Sequence, residues 1–375
     1  MQENSFKFFV LNYWRSIDKK ILFCFFILFF LGLFFSFSST SSLAGERLNK
    51  DYYFFFLKHF IFTVLAITTM ILISIIKTEV LIKLIIPIFS ISFVFLAIVP
   101  IFGIEIKGAK RWLNLYFFNL QPIEILKPFF ILMTVKILTY KEFKNTHAKY
   151  FLSFSLLCSI IILLIAQPDL GQSILLTGSW VATIFVSGVN LIYIVTFLTI
   201  FLISFSSLLF FLPEKFGYII NRLISFFDPN QGDKFQSSSA LDAIKIGGLT
   251  GQGMGEGILK ESVPEAHTDY VIAVISEEFG SLVSIMIVLI FLYISFRIIK
   301  NCFSQDSKFI KISLSGLASL LIFQTFIHAG VNTNLLPTTG MTLPFLSYGG
   351  SSLIGSAVLA GLVLNYTKNK THLYD

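Results

Sequence analysis

The sequence predicts an all-α integral membrane protein of about ten transmembrane helices, with a large extracytoplasmic loop between the seventh and the eighth. Three observations predict it. Of the 375 residues, 55% are hydrophobic and 13% charged, with a mean hydropathy of +0.82; an average soluble chain is about 25% charged. Apolar runs close to the ~20 residues that a bilayer span needs recur along the whole chain. Lysine and arginine fall between these runs and mark one set of alternate loops, the pattern of a polytopic protein. The net charge of +7 therefore forms no basic stripe, and no nucleic-acid partner is expected.

The candidate spans are 21–38, 54–76, 80–102, 121–139, 150–166, 170–188, 190–212, 269–299, 309–332 and 344–366. The first follows Lys19 and Lys20 and has the look of a signal peptide, but the many later spans make it an uncleaved first helix. An even number of spans puts both termini on one side. Lys7, Arg15, Lys19 and Lys20 precede the first span, and Lys77, Lys83, Lys136, Lys141, Lys144 and Lys149 follow on the same side. Arg297, Lys300, Lys308, Lys311, Lys368 and Lys370 complete the set, so that side is read as cytoplasmic. Cys24 and Cys158 lie in apolar runs and Cys302 in a short basic loop, which suggests no disulfide framework. The 45 phenylalanines are explained more simply by a biased genome than by a functional aromatic belt.

Of the loops on the other side, 39–53 reads as an ordinary connector, whereas 103–120 breaks the charge rule. Lys107, Lys110 and Arg111 have only Glu105 to offset them. Chance placement is one reading. The sharper one is a site for an anionic group, with Arg111 suited to bidentate phosphate contact. Each close pair would contribute on the order of 4 kcal/mol of attraction before desolvation. Gln121, Glu124 and Lys127 follow at a spacing of three and share one helix face, either as a self-neutralising pair or as part of a polar cavity. Pro122 starts that helix at a tolerated position. Asp169, in Gln167-Pro168-Asp169-Leu170-Gly171, is a candidate N-cap for the next span.

The longest loop, 213–268, is the organising stretch of a chain that otherwise reads as one polytopic domain, 1–375. Its first part, 213–227, has the pattern of an amphipathic helix lying on the membrane surface. Asp228-Pro229 stops it, and 239–246 forms a second short helix. Glycines 248, 251, 253, 255 and 257 then suggest a flexible or tightly turning rim; without a preceding strand or a Gly-Lys-Ser/Thr they are not a phosphate loop. Val263-Pro264-Glu265-Ala266-His267-Thr268-Asp269 leads into the eighth span. Carboxylates at the mouth of a span mark functional sites by default. On the helix after Pro264, Asp269 and Ser276 lie nearly in line, and Glu277 is ~12 Å deeper than Asp269. Glu278 points elsewhere. His267 and Asp269 are two metal ligands with no third nearby, so no metal site follows from them. His328 and Asn332 add polar groups near the same face, where a core hydrogen bond explains either. The closing stretch 334–352 has prolines at 337 and 344 and small residues at 349–352, and packing alone could account for it.

Taken together these motifs resemble the SEDS family of bacterial cell-wall proteins, its division branch more than its elongation branch, over nearly the whole chain. The resemblance rests on Lys107-Gly108-Ala109-Lys110-Arg111-Trp112, on Gln121-Pro122-Ile123-Glu124 with Lys127, and on Pro168-Asp169-Leu170-Gly171. It continues through Asp228-Pro229, 247–257, 264–280 and 336–352. Ile123 stands where the family commonly has Ser, Phe235 precedes Gln236 where Tyr is usual, and Lys110 takes a place often held by Arg. What the resemblance implies is a ten-helix glycosyltransferase of the bacterial cytoplasmic (inner) membrane, both termini cytoplasmic, acting at the division septum. It would polymerise lipid II, the undecaprenyl-pyrophosphate-linked disaccharide-pentapeptide, on the outer face, alongside a cognate class B penicillin-binding protein and other divisome proteins. The family's essential acid matches Asp269, to act as base on the acceptor hydroxyl. The substrate-contacting set would be Lys107, Lys110, Arg111, Trp112, Gln121, Glu124, Lys127, Asp169, Gln236, His267, Glu277 and Ser347. No cofactor is implied outright; a divalent cation, Mg²⁺ or Mn²⁺, would suit the leaving pyrophosphate. Three rival expectations are a lipid II flippase, an elongation-type polymerase and a non-catalytic divisome scaffold.

Overall fold

The computed structural model describes residues 11–40, 54–106, 109–116, 118–142, 145–211, 213–227, 235–257 and 266–368. Each predicted apolar run contains a helix, though the last starts at Gly350 and not at 344. The helices are α1 (Lys19–Phe35, continued as a wider π turn through Ser36–Thr40), α2 (Phe54–Ile75), α3 (Thr78–Phe102), α4 (Pro122–Thr139), α5 (Thr146–Ala166), α6 (Leu170–Val186) and α7 (Leu191–Phe211). Then come α8 (Pro213–Phe227), α9 (Phe235–Gly247), α10 (Val271–Phe279), α11 (Ser281–Phe303), α12 (Lys308–Asn332) and α13 (Gly350–Tyr366). Among the described residues seven helices, α1, α2, α3, α5, α7, α11 and α12, are long and apolar enough to cross a membrane; α6 and α13 are apolar but shorter.

Side chains from distant parts of the chain lock one end of the bundle. Asp18 caps α1 by accepting from the Lys20 and Ile21 N–H groups, and it also binds Arg297 Nε at 2.8 Å and Asn301 Nδ2 at 2.7 Å on α11. Burial alone would raise the Asp18 carboxyl, but these donors together hold it below its ordinary value. Asn365 Nδ2 donates to the carbonyls of Ile73, Ser74 and Ile76, satisfying the C-terminal acceptors of α2 that have no partner within their own helix. This end holds Lys19, Lys20, Lys77, Lys300, Lys308 and Lys368, and is called the basic end below.

Small residues let backbones meet. A methyl at Gly361 would fall 2.8 Å from Met70 O on α2, and one at Gly355 would fall 2.5 Å from Glu124 O on α4, the close approach that draws glycine to membrane helix interfaces. The core that results runs through α1, α4, α6, α12 and α13, with Phe345 packed against Phe25, Phe29 and Phe291.

At the opposite end the 103–120 loop is a small antiparallel sheet, β1 (Ile104–Ile106), β2 (Ala109–Asn114) and β3 (Asn119–Leu120), in the order β1-β2-β3. Glu105 stands opposite Lys110 in register, a favourable cross-strand charge pair. The second short helix, α9, begins four residues earlier than the predicted 239–246. The largest departure is in the predicted span 269–299. It breaks at Gly280 (φ +88°) into α10 and α11, and Asp269 lies before α10, in a run of turns. The alignment of Asp269 with Ser276 and the ~12 Å depth assigned to Glu277 therefore do not hold.

Candidate active site

The break is caused by the glycine rim. A methyl on Gly280 would lie 2.1 Å from Leu249 O, on Gly251 2.2 Å from Glu278 O, and on Gly247 2.0 Å from Ser276 O. The rim folds over the C-terminal end of α10 and supplies its missing donors: Gln252 N–H donates to Glu277 O at 2.9 Å and Gly253 N–H to Glu278 O at 3.0 Å. The rim is thus a clamp on a helix end, with positive φ at 248, 251, 253 and 255. Glu277 is fully buried, its carboxyl against Gly257, while Glu278 accepts from Ser38 at the end of α1. The two adjacent glutamates have different surroundings, as the sequence suggested.

Asp269, half-buried, presents its carboxylate to Gly340; a methyl built on that glycine would meet Asp269 Oδ2 at 3.6 Å and Arg111 Nη1 at 3.2 Å. The carboxylate and the guanidinium therefore flank one glycine of the α12–α13 connector. Gly340 has φ +68°, a conformation that excludes most side chains, so the opening between them is built into the backbone.

Arg111 is buried and mostly committed. Its Nε donates to Gln167 O at 3.3 Å and lies 3.8 Å from Asp169 Oδ2, and its Nη2 donates to Pro168 O. Nη1 faces Gly340. Two of its five N–H donors, one on Nε and one on Nη2, are thus engaged within the protein. Asp169 caps α6 through Gln172 N–H at 3.3 Å, as its position predicted, and accepts from Gln121 Nε2 at 3.4 Å. Burial pushes the Asp169 carboxyl up, Arg111 and the cap pull it back, and Glu124 adds to the rise.

Beneath Asp169 runs a buried polar ladder. Gln172 Nε2 donates to Glu124 Oε1 at 2.8 Å, and Glu124 Oε2 pairs with Lys127 Nζ at 2.7 Å. Lys127 donates to Gln324 Oε1 at 3.0 Å, and Gln324 Nε2 reaches Thr342 O at 3.0 Å. The spacing-of-three reading of Glu124 and Lys127 thus gives an ion pair, and Gln172 and Gln324 are the members it missed.

Other predicted contacts are placed differently. Lys110 and Gln236 are exposed, and Trp112 is half-buried on the sheet. Ser347 is spoken for by backbone: its Oγ accepts from Leu343 N–H at 2.8 Å and donates to Thr268 O at 2.6 Å, so it holds the loop rather than a ligand. The His267 ring meets Tyr348 edge-on at 6.0 Å. Lys107, with 228–234 and 258–265, lies outside the described residues. Among the described residues no group of three or more His, Cys, Asp or Glu could hold a metal ion.

Sequence reasoning missed Arg222. It lies on the amphipathic helix α8 and donates to Thr338 O at 3.3 Å, two residues from Gly340. Its charge is felt by Asp169 and Tyr270. Arg222 also heads a groove of about 730 Å³ between α5, α6 and α7, lined by Ile165, Leu198, Phe201, Phe205, Ile219 and Phe323. Among the described lining residues it is the single charge. A basic residue at the polar border of an amphipathic helix was the available signal; where it docks depends on a loop 116 residues away.

The chain matches the FtsW/RodA/SpoVE family, described as Cell cycle protein, over residues 18–372. It is 30% identical to a probable peptidoglycan glycosyltransferase FtsW of Caulobacter vibrioides, over 96% of this chain and 92% of that one. It is 34% identical to the protein of the same name from Haemophilus ducreyi, over 92% and 88%. Two solved structures share the fold at 24% identity, each covering 94% of this chain and 97% of the other. One is a chain of a peptidoglycan synthase complex (TM-score 0.75) and the other the Rod shape determining protein RodA of Thermus thermophilus (TM-score 0.69). With a family match across almost its whole length, this chain is a member of the FtsW/RodA/SpoVE family.

Proposed function

We propose that the chain is a peptidoglycan glycosyltransferase that polymerises lipid II at the outer surface of the cytoplasmic membrane, with Asp269 as general base. The observation that carries this reading is the placement of the Asp269 carboxylate and the Arg111 guanidinium on either side of Gly340, close to an apolar groove headed by Arg222. A groove of this volume is within the range of ligand sites, and its lining suits a polyprenyl chain. The arginine at its head suits the pyrophosphate that such a chain carries.

In the reaction, the 4-hydroxyl of the acceptor sugar attacks the anomeric carbon of the lipid-linked donor. The new C–O bond forms as the bond from that carbon to the pyrophosphate oxygen breaks, and undecaprenyl pyrophosphate departs. A hydroxyl is a weak nucleophile, and Asp269 takes its proton as the bond forms. Arg222 and Nη1 of Arg111 stabilise the charge that develops on the leaving oxygens. Lys110, exposed on the central strand β2, adds positive potential without being fixed on the reacting atoms. No step is assigned to a divalent cation.

The flippase reading would draw on the buried ladder from Gln172 to Gln324. That ladder closes on Thr342 O, in the same connector that holds Gly340, and so supports the site's own loop. The relatives named FtsW favour a role in division over elongation. A class B penicillin-binding protein is the proposed partner, which fits the synthase complex whose chain shares this fold.

The test is Asp269→Asn. Loss of a general base costs about 10²–10⁴ in rate, so purified variant incubated with lipid II should yield no long glycan strands on a gel, at unchanged expression and melting temperature. Strands of normal length and amount would reject Asp269 as the base.

A further inference from the structure

Asp269 sits in a run of turns, yet three consecutive carbonyls of that run are held from outside. Tyr348 N–H donates to His267 O at 2.9 Å, Ser347 Oγ to Thr268 O at 2.6 Å, and Asn332 Nδ2 to Asp269 O at 3.0 Å. Asn332 does more than its neighbours. The same Nδ2 donates to His328 O at 2.8 Å, and its Oδ1 accepts from Ala273 N–H at 3.0 Å. Both donors and one acceptor lone pair of the amide are used, in a side chain with no exposure to solvent.

Ala273 N–H is shared between Tyr270 O and Asn332 Oδ1, each at 3.0 Å. The first N–H groups of any helix lack intrahelical acceptors. Tyr270, the N-cap of α10, provides no side-chain acceptor. Asn332, at the end of α12, supplies the cap from another helix, and through its Nδ2 it fixes the carbonyl of the residue before that cap. One amide therefore sets both the start of α10 and the backbone from which the Asp269 carboxylate projects. Replacing it by an apolar side chain would leave Ala273 N–H with Tyr270 O alone and remove the donor to the Asp269 carbonyl.

We infer that Asn332 is the positioning residue for Asp269, holding the carboxylate at its place beside Gly340 and Arg111, with Ser347 as the second point of the clamp. Asn332 touches neither the groove nor Arg111 or Arg222; it acts through the backbone of Asp269. This inference rests on the general-base reading above, because only a carboxylate in the reaction needs its place fixed.

The test uses the full-length chain in the membrane complex that supports strand synthesis, with kcat and KM for lipid II and the melting temperature read together. Asn332→Asp keeps the acceptor for Ala273 N–H and loses the donors. Misplacement by about 1 Å can cost on the order of 10²-fold, so kcat should fall by about that factor while KM stays within about twofold and the melting temperature stays near that of the unsubstituted chain. Ser347→Ala removes the bond to Thr268 O together with the one from Leu343 N–H, and should lower kcat by about tenfold, again with KM held. Because the two side chains clamp one backbone, the double variant should lose less than the product of the single losses. Unchanged kcat in either folded variant overturns the proposal, as does a fall in kcat and a rise in KM that track a falling melting temperature. If Asp269→Asn polymerises normally, the base reading fails and the clamp with it. If Asp269→Asn is inactive while Asn332→Asp and Ser347→Ala are fully active, only the clamp fails.

Discussion

The Glu124–Lys127 pair shows how a charged residue is kept inside a membrane helix. Both side chains are almost completely buried, and each charge has a second partner, Gln172 for Glu124 and Gln324 for Lys127. Taking two ions out of water costs several kcal/mol each, which mutual attraction offsets only where the remaining polar atoms are also paired. Removing one ion should therefore be worse than removing both. Lys127→Met is expected to destabilise by about 3–5 kcal/mol, the range for an orphaned buried charge. Adding Glu124→Gln should recover most of that loss, since Gln can still accept from Gln172. Thermal melting in detergent reads the three variants side by side; equal losses for single and double variants would mean that Glu124 is not left as an ion. The i, i+3 spacing made this pair legible in the sequence, and the N-cap role of Asp169 was legible for a similar reason, because caps are local. Arg222, Gln324 and Asn332 were not legible as site members. Their partners Thr338, Lys127 and Asp269 lie 116, 197 and 63 positions away, and no periodicity carries contacts of that range.

At the scale of elements, the apolar runs fixed where helices form, because burial of ~20 apolar residues in a bilayer leaves the backbone few alternatives. They did not reveal the break at Gly280. On hydropathy alone α10 and α11 are one span, and only the docking of 247–257 against the end of α10 separates them. The glycines differ in why they are needed, which gives a graded prediction. Gly251 and Gly280 combine positive φ with backbone atoms 2.2 and 2.1 Å from where a methyl would go, whereas Gly248, at φ +56°, has nothing within 4 Å. Gly248→Ala pays only for a left-handed backbone, about 1 kcal/mol. Gly251→Ala and Gly280→Ala must also push the rim off the end of α10, exposing the Glu277 and Glu278 carbonyls. Limited proteolysis should therefore cut the 247–257 rim several-fold faster in the latter two, with Gly248→Ala close to the unsubstituted chain. Equal rates in all three would mean that the rim does not clamp the helix.

For the whole molecule, the hydrogen bonds divide the bundle into two ends of different character. At one, Asp18 with Arg297 and Asn301 ties α1 to α11, and Asn365 ties α13 to α2, amid lysines; at the other, the sheet and the α12–α13 connector converge on Asp269. The positive-inside rule counts Lys and Arg in short loops, and on that count the end with Lys19, Lys20, Lys77, Lys300 and Lys308 faces the cytoplasm. Lys110, Arg111 and Arg222 at the other end are then exceptions that the proposed function would account for, since a lipid pyrophosphate would arrive there. The two explanations stand together: if the bundle were inverted, the basic loops would face outward and Asp269 would have no access to an exported lipid-linked sugar. Single cysteines at Asn114, exposed at the end of β2, and at Lys141, beyond α4, separate the cases, in a chain whose native cysteines are replaced by serine. A membrane-impermeant maleimide added to intact spheroplasts should label Asn114→Cys and spare Lys141→Cys, with lysis exposing both. The reverse pattern would place the Asp269 end in the cytoplasm, and the polymerase reading would fall with the orientation.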